Sequence, residues 1–320
     1  MTTYKEIRGT HIKTVTSDPP APVNGQMWYN STTRVMKGFT ESPSGAWSSG
    51  GNLNTSRYTN GGAGTRDASL IFGGIISTGN LAVTESYNGS TFSEVADLND
   101  TRGAMGDGGT PSSAMCAAGE SPGQTNASES WNGSSWSNMP TLNSARRYLA
   151  AGIESATAGV VFGGITPGST PGTGETELYN GSAWSEQTDL NNPRRSLAGV
   201  GTSTAALCIG GYDGTTTVYT ETWNGSSWTE VNDLASTTGW GGAFGTQTLA
   251  LISAGTTVQD WNGTNWTSGV SNSNNLSNRS GNGTTAAGML AGGEPPGTSG
   301  AASTEEWAAP ATNTVTFTAS

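Results

Sequence analysis

Two residue types recur at a fixed phase along the chain and are the first to weigh for chemistry. Glutamates stand at Glu85, Glu129, Glu177, Glu221 and Glu305, and arginines at Arg57, Arg102, Arg146, Arg194 and Arg279. Two carboxylates about 5–10 Å apart can hydrolyse a glycosidic bond, one as acid and one as base or nucleophile. Such a pair needs two unlike environments to separate its pKa values. A residue repeated in every unit of a repeat meets the same surroundings each time. The recurrence therefore predicts structural Glu–Arg pairs or turn hydrogen bonds at the junctions between units. Pairs of this kind fix geometry more surely than they add stability. No catalytic residue is assigned.

Other chemistries fail by inventory. His11 is the single histidine and precedes the repeats, where a solvated arm residue is expected. Histidine-ligated metals, zinc clusters and Ser-His-Asp catalysis therefore have no residues to work with. No metal or other cofactor is expected. Cys116 and Cys208 occupy the phase held elsewhere by Ile71, Val161, Ile252 and Leu290. Non-adjacent units cannot bring two Cα atoms to disulfide distance, so both are expected to be buried, unpaired and hydrophobic in role. Asn-x-Ser/Thr triplets, as at Asn132, Asn180 and Asn224, follow from turn composition and carry no glycosylation assignment.

The elements that must position these residues form a repeat. Its clearest copy is Glu221-Thr222-Trp223-Asn224-Gly225-Ser226-Ser227-Trp228, with further copies ending at Phe92, Trp136, Trp184 and Trp266 and a truncated one at Glu305-Glu306-Trp307. Each is preceded by an apolar strand that ends in a glycine pair or Ala-Gly: Gly73-Gly74, Ala118-Gly119, Gly163-Gly164, Gly210-Gly211, Ala254-Gly255 and Gly292-Gly293. The second glycines lie 45, 45, 47, 44 and 38 residues apart. That period suits a four-stranded propeller blade. Asn-Gly suits a tight turn because both residues tolerate positive φ. The flanking aromatics each bury roughly 150–250 Å². The glycine pairs are expected to let inner strands approach near a narrow axis. Each unit closes with a Leu and usually an Arg four residues later. Leu234 has Thr238 in that place, and Leu276 has Arg279 one residue early.

Six glycine pairs predict an all-β, six-bladed propeller. The sixth unit lacks its outer Trp strand, and that strand stands near the start of the repeats as Ala46-Trp47. Residues near 46–50 are therefore expected to complete the last blade. The alternating tail Thr314–Thr318 is expected to add to that edge. The domains are then 1–45, an anchoring arm with a hairpin over 27–39, and 46–320, the propeller. The alternative count makes that hairpin part of a seventh, incomplete blade. Asp18-Pro19-Pro20-Ala21-Pro22 is expected as a stiff spacer.

The glycine pair, Glu-x-aromatic, Trp, Leu and Arg resemble the kelch repeat over about residues 46–307, which implies four-stranded blades. The sequence departs from that pattern in its short Asn-Gly connection, in Phe92 for Trp, in Gln259 for Glu and in Thr238 for Arg. A second resemblance covers about 55 residues. Gly25-Gln26-Met27-Trp28-Tyr29-Asn30 and Gly45-Ala46-Trp47-Ser48-Ser49-Gly50-Gly51-Asn52-Leu53-Asn54 resemble the N-terminal region of virion structural proteins of marine tailed bacteriophages. It implies a virion component of the tail or its fibres that docks through its leader.

Charge and composition bound the partners. The net charge is −11, with five basic against two acidic residues in 1–40 and eight against 22 in the remainder. An acidic body lacks the basic stripe that nucleic acid needs. No apolar run approaches the length of a transmembrane helix, and no basic-then-apolar signal peptide opens the chain. The loops after the glycine pairs differ from unit to unit and leave the same end of the blades, so they form one variable rim. There Tyr212 and Asp213 could stack on and hydrogen-bond a sugar, and Trp240, which stands in the Arg region of its repeat, joins them as a candidate. The expected function is a non-enzymatic virion protein, in several copies per particle, that contacts host-surface glycan through this rim and other virion proteins through 1–45. The alternatives are a purely structural nozzle or capsid-decoration part, and a glycan-processing enzyme.

Overall fold

A computed structural model of the chain describes residues 12–23, 25–41, 45–298, 300–310 and 312–317; His11 lies outside them. Every regular element among the described residues is a β-strand, as the period-2 and turn-rich pattern requires. None of these elements is a helix long and apolar enough to cross a membrane. The chain divides into two compact units, one from residues up to Ala46 and from Ala309 onward, the other Trp47–Ala308.

The larger unit contains six four-stranded antiparallel sheets in sequence order, here I to VI. Sheet I is Gly61–Thr65, Ala68–Phe72, Thr84–Tyr87 and Phe92–Glu94. Sheet II is Gly106–Thr110, Ser113–Glu120, Gln124–Trp131 and Trp136–Met139. Sheet III is Ala150–Ser155, Ala158–Phe162, Thr176–Tyr179 and Trp184–Glu186. Sheet IV is Ala198–Thr202, Ala205–Ile209, Thr220–Trp223 and Trp228–Glu230. Sheet V is Gly242–Gly245, Ala250–Ala254, Thr257–Trp261 and Trp266–Ser268. Sheet VI is Ser280–Gly283, Ala287–Ala291 and Thr304–Ala308, completed by Ala46–Ser49 from ahead of sheet I. The first strands are rich in Gly, Ala and Ser and lie beside one another in order. That of sheet VI lies beside that of sheet I.

Six apolar clusters fill the spaces between successive sheets, including one between VI and I built on Leu53, Ile71, Tyr87, Phe92, Met289 and Ala291. Cys116 and Cys208 are buried and unpaired, opposite Glu129 and Glu221 in the ladders as Ile71 is opposite Glu85. Burial pushes both thiols up to about 12.

The Asn-Gly turns work differently from expectation. Only the glycine takes positive φ, 89° at Gly89 and 91° at Gly225. The asparagine caps the turn with its side chain: Asn224 Oδ1 accepts from the N–H groups of Ser226 and Ser227, both at 2.9 Å. The glycine pairs also have another role. They end the second strand in the left-handed region, and a Cβ at Gly210 would sit 2.2 Å from the carbonyl oxygen of Thr238. The second glycine donates its N–H across the gap to the next junction, as Gly74 does to the carbonyl of Arg102 at 2.8 Å. Close approach along the axis falls to strand glycines such as Gly281, whose Cβ would lie 2.1 Å from the oxygen of Ala243.

The smaller unit is a separate four-stranded sheet of Lys13–Val15, Met27–Asn30, Val35–Glu41 and Thr312–Phe317. The 27–39 hairpin forms as expected but belongs here and not to the I–VI series. The tail strand corrects the reading of 46–320 as one domain, because Thr312–Phe317 pairs with Val35–Glu41 through a six-residue ladder. The seven-residue strand gives it a longer edge than the four residues of Ala46–Ser49. Asp18 ties the proline spacer down, accepting from Trp28 Nε1 (3.0 Å), Asn30 Nδ2 (2.8 Å) and Lys37 Nζ (2.5 Å). The hydrogen bond from Lys37, ahead of those from Asn30 and Trp28, holds its carboxyl down at about 2.

The fourth-strand tryptophans stitch neighbouring sheets. Trp136, Trp184, Trp228 and Trp266 donate Nε1–H to Thr84, Ser128, Thr176 and Thr220 on the preceding sheet's third strand, at 3.0–3.4 Å. Two links differ. Val258 has no hydroxyl, and Trp47 donates to the carbonyl of Val270 instead, at 2.8 Å. The ring of Phe92 has no N–H, and the buried Thr304 hydroxyl has no partner among the described residues. Thr304→Val should therefore leave the urea midpoint unchanged or raise it. Thr220→Val strands the N–H of Trp266 and should cost about 1–3 kcal/mol.

Candidate functional site

The recurrent charged residues meet as pairs. Arg102 Nη2 lies 2.7 Å from Glu129 Oε1, and Arg146 Nη2 lies 2.8 Å from Glu177 Oε1. Arg194 Nη1 lies 2.5 Å from Glu221 Oε1, and Arg279 Nη1 lies 2.5 Å from Glu305 Oε2. Arg57 and Glu85 are bonded in the same way. All ten side chains are buried. The arginine precedes the first strand of a sheet, and its glutamate lies on that sheet's third strand. The other carboxylate oxygen accepts backbone N–H from the crossover that enters the sheet, as Glu177 does from Asn143 at 2.8 Å. The guanidinium also donates to main-chain carbonyls, as Arg146 does to Glu175 at 2.7 Å. Burial pulls down the affinity of Arg146 and Arg279 for their protons, and the partner carboxylates oppose it. These groups are engaged with one another and hold the crossovers in place.

Two junctions depart from the pattern. At sheet V, Gln259 Oε1 accepts from Ala235 N at 2.8 Å, and its Nε2 donates to Thr238 Oγ1 at 3.3 Å. The two exceptions noted in the sequence are thus one neutral replacement of a single pair. At sheet VI the alignment by Leu276 is corrected. The N–H of Gly255 bonds the carbonyl of Leu276 as that of Gly74 bonds Arg102, so Leu276 holds the arginine slot and the buried Asn272 holds the leucine slot. Arg279 enters three residues later and still reaches Glu305.

Two residues beyond each arginine slot lies a residue in the left-handed region: Thr59, Ala104, Tyr148, Ser196, Trp240 and Asn278, with φ of 49–60°. None is glycine. Their backbones bond one to the next. Ala104 N donates to Thr59 O (2.9 Å), Tyr148 to Ala104 (2.8 Å), Ser196 to Tyr148 (2.8 Å), Trp240 to Ser196 (3.0 Å), Asn278 to Trp240 (2.7 Å) and Thr59 to Asn278 (2.8 Å). This is a circle of six hydrogen bonds around the axis. Such conformations cost about 1–3 kcal/mol each and collect at ligand clamps and other functional sites.

The side chains at this mouth form the candidate site. The loops begin beside it, through bridges between Tyr58 and Ile75, Gly103 and Glu120, Arg147 and Ile165, Arg195 and Tyr212, and Ser277 and Glu294. Tyr212 and Trp240 come together, with ring centroids 5.9 Å apart and planes tilted by 39°. Asp213 does not join them, because its Oδ1 accepts from Thr215 within its own turn. Sequence reasoning did not single out the remaining members. Arg195 lies over the ring of Tyr212, 5.0 Å from its centroid, and Arg147 over that of Tyr148 at 5.2 Å. Arg147 also pairs with Glu120 at 2.6 Å, and Asn278 Nδ2 donates to Glu294 at 2.9 Å. Burial raises the phenols of Tyr58 and Tyr148, aided by Glu294 at Tyr58 and by Glu120 at both, so both are hydrogen-bond donors. A usable signal was the doublet Arg146-Arg147 and Arg194-Arg195, in which the second arginine falls outside the buried pair.

An axial cavity of about 240 Å³ runs between the first strands. Asp107 lines it and accepts from the N–H of Gly62 at 2.8 Å, and burial pushes its carboxyl up to about 7. Among the described residues no cluster of His, Cys, Asp and Glu could hold a metal ion.

No family model matches the chain, and no curated protein matches it. Among solved structures, one described as "Structure of YjhT" aligns with a TM-score of 0.67 at 12% identity, covering 79% of this chain and 95% of that one. At that identity the likeness is one of fold, and it agrees with a propeller-like arrangement of four-stranded sheets.

Glu177→Gln should destabilise the protein by about 3 kcal/mol, because it removes the carboxylate bonded to a buried guanidinium and leaves only Glu175 Oε2, at 3.7 Å, to oppose its charge. Combining it with Arg146→Thr, in imitation of Gln259 and Thr238, should recover most of that loss in urea unfolding. Asp107 gives a signed pH dependence. Its folded-state pKa is raised, so wild type loses stability as pH rises from about 4, the unfolded value, to about 7. Asp107→Asn keeps an acceptor for Gly62 and should match wild type near pH 4 but melt at a higher temperature near pH 8.

Proposed function

We propose that this chain is a non-enzymatic structural component of a tailed-phage virion, in the tail or its fibres. In this reading residues 47–308 are a closed, six-bladed, kelch-like β-propeller that presents its rim to host-surface glycans, and residues 1–45 join it to neighbouring virion proteins. Weak contacts suffice when many copies are displayed, because each bound copy raises the effective concentration for the next.

The observation that carries the glycan reading is the grouping of Tyr58, Tyr148, Tyr212 and Trp240 with Arg147 and Arg195 at one mouth of a rigid ring. Aromatic faces and fixed polar groups are what a sugar surface requires. The backbone circle and the six inter-sheet clusters support six closed blades. Full engagement of the buried glutamates with arginine and backbone N–H supports a scaffold role for them. The virion assignment rests on the resemblance carried by Gly25–Asn30 and Gly45–Asn54.

Immunogold electron microscopy of virions, with antibody raised against residues 47–308, tests the assignment. Label at the distal tail or fibre tips is the expected result. Label on the capsid or within the tail core would replace it with the structural nozzle or decoration role. Particles without label would overturn the virion reading.

A further inference from the structure

The two rim arginines are not equivalent. Arg147 is neutralised by Glu120 at 2.6 Å. Arg195, one junction further round, makes no ion pair and no side-chain hydrogen bond among the described residues; its guanidinium lies over the ring of Tyr212, 5.0 Å from the centroid. That ring in turn meets Trp240 at 5.9 Å. Stacking leaves the edge of a guanidinium free, and that edge carries the forked N–H donors that match a carboxylate. The rim therefore joins aromatic faces to one uncompensated, pre-oriented cation.

We infer that the rim recognises a sugar unit bearing a carboxylate, with the carboxylate on the free edge of Arg195 and the sugar ring against Tyr212 and Trp240. This rests on the glycan reading above and narrows it. The acidic body of the protein opposes long-range attraction of such a ligand, so selectivity must come from contact at Arg195. There is room for the rest of a chain. Sheet V passes from its second to its third strand through Gly255-Thr256 alone, where every other sheet has a loop. The gap left is about 280 Å³, lined by Gly239, Asn275, Ser277, Glu294, Pro295 and Pro296, and it adjoins Trp240 in sequence.

The test is binding of the full chain to polygalacturonate, alginate and hyaluronan, each beside its carboxyl-reduced neutral form. Wild type should bind at least one acidic polymer about tenfold or more tightly than its reduced form. Arg195→Gln should erase that preference, and Arg195→Lys, which keeps the charge without the fork, should retain only part of it. Arg66→Gln, at the opposite end of sheet I beside Asp67, should change nothing. Thermal melting of each variant confirms that it is folded. Equal binding of acidic and reduced forms, an unaffected Arg195→Gln, an equal loss in Arg66→Gln, or tighter binding of dextran sulfate than of any carboxylated polymer would overturn this inference and leave the glycan reading standing. Binding of no polymer, acidic or neutral, would overturn both.

Discussion

A guanidinium cut off from water must be satisfied inside the protein, and that need organises this chain. Each buried arginine spends its charge on a glutamate of the third strand, and further N–H groups reach main-chain carbonyls, while the Nε–H of Arg102, Arg146 and Arg279 has no partner among the described residues. The glutamate uses its second oxygen on the crossover from the previous sheet. One contact thus ties together the entry to a sheet, the sheet's interior and the sheet before it. The chain is only 32% hydrophobic, so apolar burial is thin for its length. A hydrogen-bonded polar lock at each junction restricts how the small-residue strands can settle. Sheet V shows that charge is not essential to the lock, since Gln259 and Thr238 occupy the same place with neutral hydrogen bonds.

The same division of labour runs outward from the axis. Near the axis the first strands are Gly and Ala rich, and main-chain hydrogen bonds connect one junction to the next. Midway lie the Glu–Arg locks. At the periphery, aromatic pairs such as Trp223 and Trp228, with centroids 5.3 Å apart, fill the space between sheets, and tryptophan N–H groups bond the neighbouring sheet. Each layer uses the residue type that its radius allows: mostly small residues on the first strands, a long buried side chain midway, and large rings at the periphery.

Much of this was legible in the sequence because it repeats. Glu-x-aromatic, Asn-Gly and the glycine pairs placed the strands, the pairing of glutamate with arginine, the burial of Cys116 and Cys208, and the completion of the last sheet by Ala46–Ser49. What could not be read is what does not repeat in residue type. The left-handed circle is made by Thr59, Ala104, Tyr148, Ser196, Trp240 and Asn278, six residues with no shared side-chain chemistry and no glycine to betray positive φ. The sixth junction misled for a related reason: Leu276 imitates a repeat leucine by spacing, while its backbone holds the arginine slot. The tail strand was placed on the wrong sheet because alternation predicts a strand and says nothing about which open edge receives it. Tyr212 and Trp240 were found through their oddity within the repeat, whereas Arg195 was masked by the arginine beside it.

The circle at the mouth has an implication for how such a surface changes over time. Every one of its bonds runs from amide to carbonyl, so closure asks nothing of the six side chains except that each tolerate a left-handed turn. The positions nearest the axis, where a mutation would ordinarily be most dangerous, are therefore interchangeable fittings on a fixed collar. Single substitutions there change the chemistry of the mouth while the backbone bonds beneath stay in place, and the six residues now seated on the collar run from alanine to tryptophan.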